Sequence, residues 1–186
     1  HQSLIGAYRK RHLVPFGEYV PGGDWLPDLA RWFAMQEELT PGTEATVLQA
    51  GSGIRAGVLL CYEDMLPEAA WSLVDNSANV LVSLINGAAF PRTVTLAQHR
   101  MLAQLRAVEN RRALVRCAAT GETCVVSPVG CVVAALPLHG QARLVARVPL
   151  IDALTPAHGL AVVFPVACGA GLVLEIARRR RYRWTA

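Results

Sequence analysis

The sequence predicts an α/β fold of layered strands and helices, followed by an apolar helix near the C-terminus. Two apolar runs, residues 54–60 and 79–85, lack polar alternation, as expected of strands covered on both faces. Each run precedes a segment with apolar residues at helical spacing, and alternating strands and helices are typical of layered α/β proteins. A third apolar stretch, residues 157–177, leads into a cluster of arginines.

The N-terminal part of the chain is predicted to contain a strand, a loop and an apolar segment. Residues 4–8 are predicted as a strand, and residues 10–21 as a loop because prolines and a glycine interrupt them. Apolar residues within 24–35 recur at roughly helical spacing. This segment is either a helix packed on the core or an exposed apolar arm that rests on lipid.

Periodicity and turn residues predict the remaining elements. Helices are predicted over 64–74 and from Val94 to about Arg112, where apolar residues mark one face. Further strands are predicted at residues 46–49, 54–60, 79–85, 113–118, 123–127, 131–136 and 143–148.

Cys61 lies where the apolar run 54–60 ends and the predicted helix begins. Unpaired N–H groups at a helix start favour a thiolate, which is the form of cysteine that attacks a carbonyl carbon. This position indicates a catalytic nucleophile. The alternative is a small buried hydrophobic residue, which free cysteine often is.

Lys10 is the only lysine in the chain, and every other strongly basic residue is arginine. A compact ammonium can lie beside a developing oxyanion, whereas a guanidinium is a broad fork that stays charged. The lone lysine therefore indicates a site where arginine would not serve. A surface lysine is the alternative.

Two motifs in order carry a resemblance to a known family. They are Tyr8-x-Lys10-x-His12-Leu-Val-Pro-Phe-Gly-Glu18-Tyr-Val-Pro21 and Leu60-Cys61-Tyr62-Glu63-Asp64-x-Leu-Pro-Glu68. With them, the chain resembles the apolipoprotein N-acyltransferases, a membrane-embedded branch of the nitrilase (carbon–nitrogen hydrolase) superfamily. Further agreement comes from Asn79 to Asn86, Gln98-His99, Arg106-Ala-Val-Glu109-Asn110, and Arg116 leading into Thr120-Gly121.

The resemblance implies a nitrilase-like α-β-β-α sandwich that is partial, because the family's N-terminal strands and membrane helices would precede His1. Residues 1–154 would be the C-terminal portion of the catalytic domain, 155–177 a transmembrane helix and 178–186 a basic cytoplasmic tail. A buried terminal strand and helix is the alternative for the apolar stretch.

The resemblance also implies a reaction. Cys61 would take an acyl chain from a phospholipid as a thioester and pass it to the N-terminal amine of a diacylglyceryl-cysteine apolipoprotein. Lys10 and the backbone N–H of Tyr62 would stabilise the oxyanion, while Glu18 and Glu63 would have accessory roles. The family's general-base glutamate would precede His1, so the present stretch alone is expected to be inactive.

Asn86 is expected to position the substrate, but the residues after it depart from the family pattern. Asn86-Gly87-Ala88-Ala89-Phe90-Pro91 stands where relatives usually have Asn-Asp-Ala-Trp-Phe-Gly. The change removes a carboxylate and a tryptophan. Two other functions therefore stay open: a nitrilase-type C–N hydrolase or amidase, and a degenerate, non-catalytic membrane-tethered relative.

Charge and cysteine content limit the partners. The net charge is +4, and without the five arginines between residues 178 and 183 it becomes −1. Such a run beside an apolar stretch indicates the cytoplasmic side of a membrane span, with the catalytic domain on the other side, rather than nucleic-acid binding. The resemblance implies that this membrane is the bacterial inner membrane and that the catalytic domain lies on its periplasmic face. The five cysteines include no C-x-x-C pair, so we expect no metal site, and no cofactor is expected.

Overall fold

The computed structural model describes residues 6–23, 25, 28, 39–88, 94–137 and 142–183. The chain divides into two compact units, with the boundary between Ala153 and Leu154. Each unit is considered separately below.

The first unit is built on a mixed sheet whose six described strands lie side by side in chain order. The three strands β2, β3 and β4 are parallel, whereas β1, β5 and β6 join the sheet in antiparallel pairings. The strands are β1 (Val47–Ala50), β2 (Ile54–Leu60), β3 (Val80–Ile85), β4 (Ala113–Ala118), β5 (Cys124–Val126) and β6 (Val132–Ala135).

Helices connect the parallel strands, as the α/β prediction required. A short 3₁₀ helix (Cys61–Met65) and α1 (Pro67–Asp75) lie between β2 and β3, and α2 (Val94–Asn110) lies between β3 and β4. The predicted α/β fold is therefore confirmed. The bounds of β2 and β4 agree with the sequence-based prediction to the residue.

The core of this unit lies between the helices and the parallel strands. Small side chains let α1 come close to the sheet, and a Cβ at Gly57 of β2 would lie only 3.0 Å from the Cβ of Leu73. Burial of this apolar surface is the main favourable contribution to the packing of the helices on the sheet. The fully buried apolar residues include Leu59, Ala69, Ala70, Leu73, Leu81, Ala103, Ala107 and Leu114.

The predicted strand at residues 143–148 is wrong. Residues 142–155 have no regular secondary structure, and Val145 is 87% exposed. A strand needs a neighbour with which to exchange backbone hydrogen bonds, and an apolar pattern cannot supply one. Contacts hold the end of this segment: the buried Arg112 guanidinium donates to the carbonyl of Ala153 at 2.7 Å, Arg55 pairs with Asp152, and the Ile151 N–H donates to the Asn79 carbonyl at 3.3 Å.

The structure describes only part of two segments predicted near the N-terminus. Residues 6–8 are irregular, while the rest of the strand predicted at 4–8 lies outside the described residues. Most of the apolar segment at 24–35 also lies outside them. The predicted loop at 10–21 is present, with a single isolated bridge between Pro15 and Tyr19.

The second unit consists mainly of the helix α3 (Ala157–Arg183), which is 27 residues long. Its stretch from Gly159 to Arg178 is long and apolar enough, by length and composition, to cross a membrane, and none of it is buried. The helix continues through Pro165. The domain bounds given above remain predictions.

Candidate active site

Cys61 lies at the sharp turn that ends β2. Its backbone φ is 51°, in the left-handed region, which costs a non-glycine residue on the order of 1–3 kcal/mol. Such strain persists only where the surrounding structure holds it. β2 and β3 are parallel up to the pair Leu60 and Leu84, so the turn projects from the carboxyl end of the central strands, where open α/β sheets bind ligands. The Cys61 side chain is half-buried and free of a disulfide.

The helix predicted over 64–74 is divided in two. The 3₁₀ helix begins at Cys61 itself, whereas α1 begins only at Pro67. Leu66, between them, is extended because the residue before a proline is disfavoured in the α region. Cys61 therefore stands at a strand-to-helix junction, as predicted, but the helix that begins there is the short 3₁₀ helix and not α1.

Glu63 joins this turn to the N-terminal loop. Its carboxylate is completely buried, and Oε2 accepts a hydrogen bond from the N–H of Leu60 at 2.9 Å. Oε1 accepts from the backbone N–H groups of Arg11 at 2.8 Å and His12 at 3.1 Å. The Tyr8 hydroxyl also donates to Oε1 at 2.9 Å. One carboxylate thus fixes the end of β2 against the segment that carries Lys10.

Lys10 and Glu18 form a close ion pair within that segment. The Lys10 Nζ lies 2.6 Å from each oxygen of the Glu18 carboxylate. The lysine side chain is only 12% exposed, so the pair is partly shielded from water. Glu18 Oε2 also accepts from the N–H of Val14 at 2.9 Å, which closes the loop on itself. Through Glu63, the structure therefore ties the segment that carries Lys10 and Glu18 to the Cys61 turn.

Tyr8 is held in its neutral form beside Glu63. Burial raises the pKa of the Tyr8 phenol to about 12, and the negative charge of Glu63 acts in the same direction. A neutral phenol keeps the proton that it donates to the carboxylate. The hydrogen bond is consequently present across the ordinary pH range.

Asp64, the next residue after Glu63, is the centre of a second buried polar cluster. Its Oδ1 lies 2.5 Å from Nε2 of His99, and its Oδ2 accepts from the Ser83 hydroxyl at 2.5 Å. The Arg116 Nε lies 3.6 Å from Oδ2. All four residues are at least nine-tenths buried.

The end of the 3₁₀ helix is also fixed from α2. Arg106 donates through Nη1 to the carbonyl of Met65 at 2.8 Å and through Nη2 to Glu109 at 2.9 Å. Burial lowers the pKa of Arg106 from its ordinary value, while nearby carboxylates, Glu109 foremost, oppose that effect. The short helix after Cys61 is therefore held at both of its last two residues, Asp64 and Met65.

Asn86 and Tyr62, the other two predicted site residues, are described by fewer contacts than Glu63 and Lys10. Asn86 is exposed at the end of β3, where its Oδ1 accepts from the N–H of Ala88 at 3.2 Å. Tyr62 is half-buried within the 3₁₀ helix. Gly87 is buried, and a Cβ there would lie 2.6 Å from the carbonyl oxygen of Thr120. Residues 89–91, which complete the departure from the family pattern, lie outside the described residues.

A comparison of the sequence with protein-family models gives one match, to Carbon-nitrogen hydrolase, over residues 1–153. The chain belongs to the carbon–nitrogen hydrolase family. This family assignment covers the whole first unit, including both motifs and the two buried polar clusters.

Within the carbon–nitrogen hydrolases, the chain is similar to curated apolipoprotein N-acyltransferases. It is 37% identical over 181 residues to that of Geobacter metallireducens, covering 96% of the chain and 34% of the relative. It is 36% identical over 158 residues to that of Chlorobaculum tepidum, covering 81% and 30%. The resemblance stated from the motifs is confirmed. The chain spans about a third of the length of these curated relatives.

Solved carbon–nitrogen hydrolase structures share the fold. Saccharomyces cerevisiae Nit3 matches with a TM-score of 0.52 at 24% identity, covering 75% of the chain and 46% of that protein. The carbon–nitrogen hydrolase from Helicobacter pylori G27 matches with a TM-score of 0.56 at 18% identity, covering 75% and 50%. The predicted nitrilase-like α/β fold is thus confirmed.

Sequence reasoning missed the structural role of the Asp64 cluster in this carbon–nitrogen hydrolase. His99 and Arg116 carried part of the family resemblance, but the sequence did not show that both point to one carboxylate. Polar residues that follow or interrupt apolar strands were the available signal, because a buried charge requires a partner. Among the described residues, no group of three or more His, Cys, Asp and Glu side chains could hold a metal ion.

Proposed function

We propose that the protein containing this chain transfers an acyl chain from a phospholipid to the N-terminal amine of a diacylglyceryl-cysteine apolipoprotein. The similarity to apolipoprotein N-acyltransferases carries this proposal, because it extends over 96% of the chain and so past residue 153, where the carbon–nitrogen hydrolase match ends. The part beyond residue 153 contains the apolar helix α3. That helix favours a lipid substrate over the soluble substrates of a hydrolase.

The first step is acylation of Cys61. The thiolate attacks the ester carbonyl carbon, the new C–S bond forms, and the C–O bond to the glycerol breaks, so that a lysophospholipid leaves with a proton. The negative charge on the carbonyl oxygen is stabilised by the Lys10 ammonium and the N–H of Tyr62. The tie between Glu63 and the loop of Lys10 supports this assignment, since it links the two motifs at the Cys61 turn.

The second step transfers the acyl group to the acceptor. The free amine of the diacylated cysteine attacks the thioester carbon, an amide forms, the C–S bond breaks, and the Cys61 thiol is restored. A glutamate must take the thiol proton in the first step and the amine proton in the second. Glu18 and Glu63 already accept close hydrogen bonds, so we assign them accessory roles and expect the base among residues that precede His1.

The membrane placement follows from the same proposal. Residues 155–177 cross the bacterial inner membrane, and the basic segment 178–186 stays in the cytoplasm because positive charge resists translocation. Residues 1–154 then lie on the periplasmic face, where lipoprotein precursors and phospholipid headgroups meet. Asn86, at the end of β3, would contact the substrate.

The test uses the complete membrane protein in detergent with phospholipid and then a diacylated lipopeptide. We expect a hydroxylamine-sensitive acyl adduct on Cys61 that the lipopeptide, but not water, discharges. Cys61→Ala should abolish the adduct, whereas Cys117→Ala, at an exposed cysteine, should leave it unchanged. Rapid discharge by water would favour the hydrolase alternative. Absence of any adduct or turnover would favour a non-catalytic relative.

A further inference from the structure

The strained turn at Cys61 requires a structural support. A residue with φ of 51° that is not glycine tends to relax unless its neighbours fix it. The Glu63 carboxylate holds this turn from the side of the N-terminal loop. The side facing the sheet and α2 is held by a different set of contacts, which no established role explains.

In this second set of contacts, the Asp64 carboxylate meets side chains from three separate elements. Ser83 lies on β3, Arg116 on β4 and His99 on α2, and all reach the same carboxylate. Leu59, Ser83 and Arg116 form one row across the three parallel strands, directly beneath the turn. Because Asp64 belongs to the same short helix as Cys61, displacement of Asp64 would move the nucleophile.

Helix α2 contacts the 3₁₀ helix at two points. His99 pairs with Asp64, and Arg106, seven residues later, donates to the Met65 carbonyl at 2.8 Å. Residues seven apart are two turns apart on the same helical face. Because an ionised carboxylate accepts hydrogen bonds only, a hydrogen bond from His99 to Asp64 requires the imidazole proton to be on Nε2.

We propose that Asp64, supported by His99 and Arg106 of α2, is a positioning residue that holds the Cys61 turn so that the thiol and the Tyr62 N–H face the same carbonyl group. The proposal rests on the acyl-transfer function above. It assigns α2 a part in the reaction through its contacts with Asp64 and Met65. A misplacement of about 1 Å at reacting atoms can cost on the order of 10²-fold in rate.

The experiment compares His99→Leu, His99→Gln and Asn79→Leu in the complete protein. Asn79 is a matched control because it is also buried and doubly hydrogen-bonded, but it holds the opposite end of β3, at Arg55 and Gly53. We expect His99→Leu to slow acylation of Cys61 by phospholipid about 10²-fold with little change in KM. His99→Gln should recover most of that rate, since its amide can donate to Asp64. Asn79→Leu should lower the Tm and leave kcat of the folded protein unchanged.

A second measurement separates this proposal from the proposed function. The rate at which iodoacetamide alkylates Cys61, followed by site-resolved mass spectrometry, reports the turn without any lipid. If wild type forms no acyl adduct, the proposed function fails, but His99→Leu should still change the alkylation rate several-fold relative to Asn79→Leu. Ser83→Ala, which deletes one donor to Asp64, serves if His99→Leu does not fold. Equal losses of Tm with unchanged acylation and alkylation in the His99 and Ser83 variants would overturn the positioning role.

Discussion

The Tyr8 hydroxyl donates a hydrogen bond to Oε1 of Glu63 at 2.9 Å, although the two residues are 55 positions apart in the chain. The same oxygen accepts the N–H groups of Arg11 and His12. A fully buried carboxylate with four donors is a rigid junction, because every departure from it would leave a buried polar group unpaired. The junction joins Glu63, two residues after Cys61, to Arg11, one residue after Lys10. It therefore couples the two motifs of the family.

Glu63→Gln should therefore disrupt the site without changing its size. The amide presents an NH₂ group to one of the backbone donors, so at least one N–H loses its acceptor. We expect a loss of about 1–3 kcal/mol in the free energy of unfolding. Acyl transfer should fall about 10²-fold because the Lys10 loop shifts. Glu44→Gln, on an exposed loop residue, is the control for the loss of charge. Wild-type activity in Glu63→Gln would show that the junction does not position the loop.

Tyr8→Phe should change how stability depends on alkaline pH. The folded protein holds the Tyr8 proton up to a pKa of about 12, compared with 10.0 for a free phenol. The stabilisation from this group is therefore fully present below about pH 10 and is lost as the pH rises through about 12. Chemical unfolding of both proteins should show a stability difference that narrows as the pH rises above 10. A constant difference would argue against the buried hydrogen bond to Glu63.

Much of the fold could be predicted because its elements have strong local signals. The strands β2 and β4 are largely apolar runs that each contain one arginine, and both were predicted with their observed bounds. The strand predicted at 143–148 is absent because strand pairing is a tertiary property, which a local apolar pattern cannot supply. The break between the 3₁₀ helix and α1 at Leu66 was not predicted. Pro67 was a signal for it, but the helical pattern of apolar residues continues across the break.

The site was predictable to the level of motifs but not of contacts. The nearness of Lys10, Glu18 and Glu63 follows from the family resemblance. The contact between Asp64 and His99 could not be predicted in this way. A histidine on a helix and a carboxylate beyond a strand are not known to be neighbours until the packing of helix and sheet is known. The register places Ser83 beside Arg116, and both side chains reach the Asp64 carboxylate, which His99 contacts from α2.

A purified protein of residues 1–186 alone should not sustain acyl transfer. Glu18 is paired with Lys10 at 2.6 Å, and Glu63 accepts four hydrogen bonds, so neither is placed to shuttle protons. Turnover of a diacylated lipopeptide is the measurement, with circular dichroism to confirm that the protein is folded. Sustained turnover that disappears in Glu18→Gln would identify Glu18 as the base.

Gly87→Ala should destabilise the first unit, and Gly87→Asp, which restores the usual family residue, should do so at least as strongly. A Cβ at this position would lie 2.6 Å from the Thr120 carbonyl oxygen and 2.7 Å from Leu96 Cδ2. A backbone carbonyl cannot move aside easily, and such overpacking typically costs about 1–3 kcal/mol. Gly51→Ala is the control, because a Cβ there meets nothing within 4 Å. Equal thermal stability of the two alanine variants would contradict the close approach of these loops.

Lys10→Arg should be nearly as damaging as Lys10→Ala, although it keeps the positive charge. The ammonium of Lys10 lies between the two Glu18 oxygens at 2.6 Å, in a pocket where the side chain is only 12% exposed. A guanidinium is longer and planar, so it can satisfy Glu18 as a fork only by moving its charge away from the position that a single Nζ occupies. Loss of one oxyanion donor typically lowers kcat by about 10² to 10³-fold.

The comparison of these two variants separates three roles for Lys10. A surface lysine would make both substitutions silent, and a purely electrostatic role would let arginine restore the rate. A compact donor at a fixed distance requires that both variants lose kcat for acylation of Cys61 while the protein stays folded. Arg9→Lys, at the neighbouring position, is the control for altered basic chemistry in the loop, and it should retain the wild-type rate. Near-normal acylation in Lys10→Arg would exclude the oxyanion-donor role, because an arginine held by Glu18 cannot place one N–H where the lysine Nζ lies.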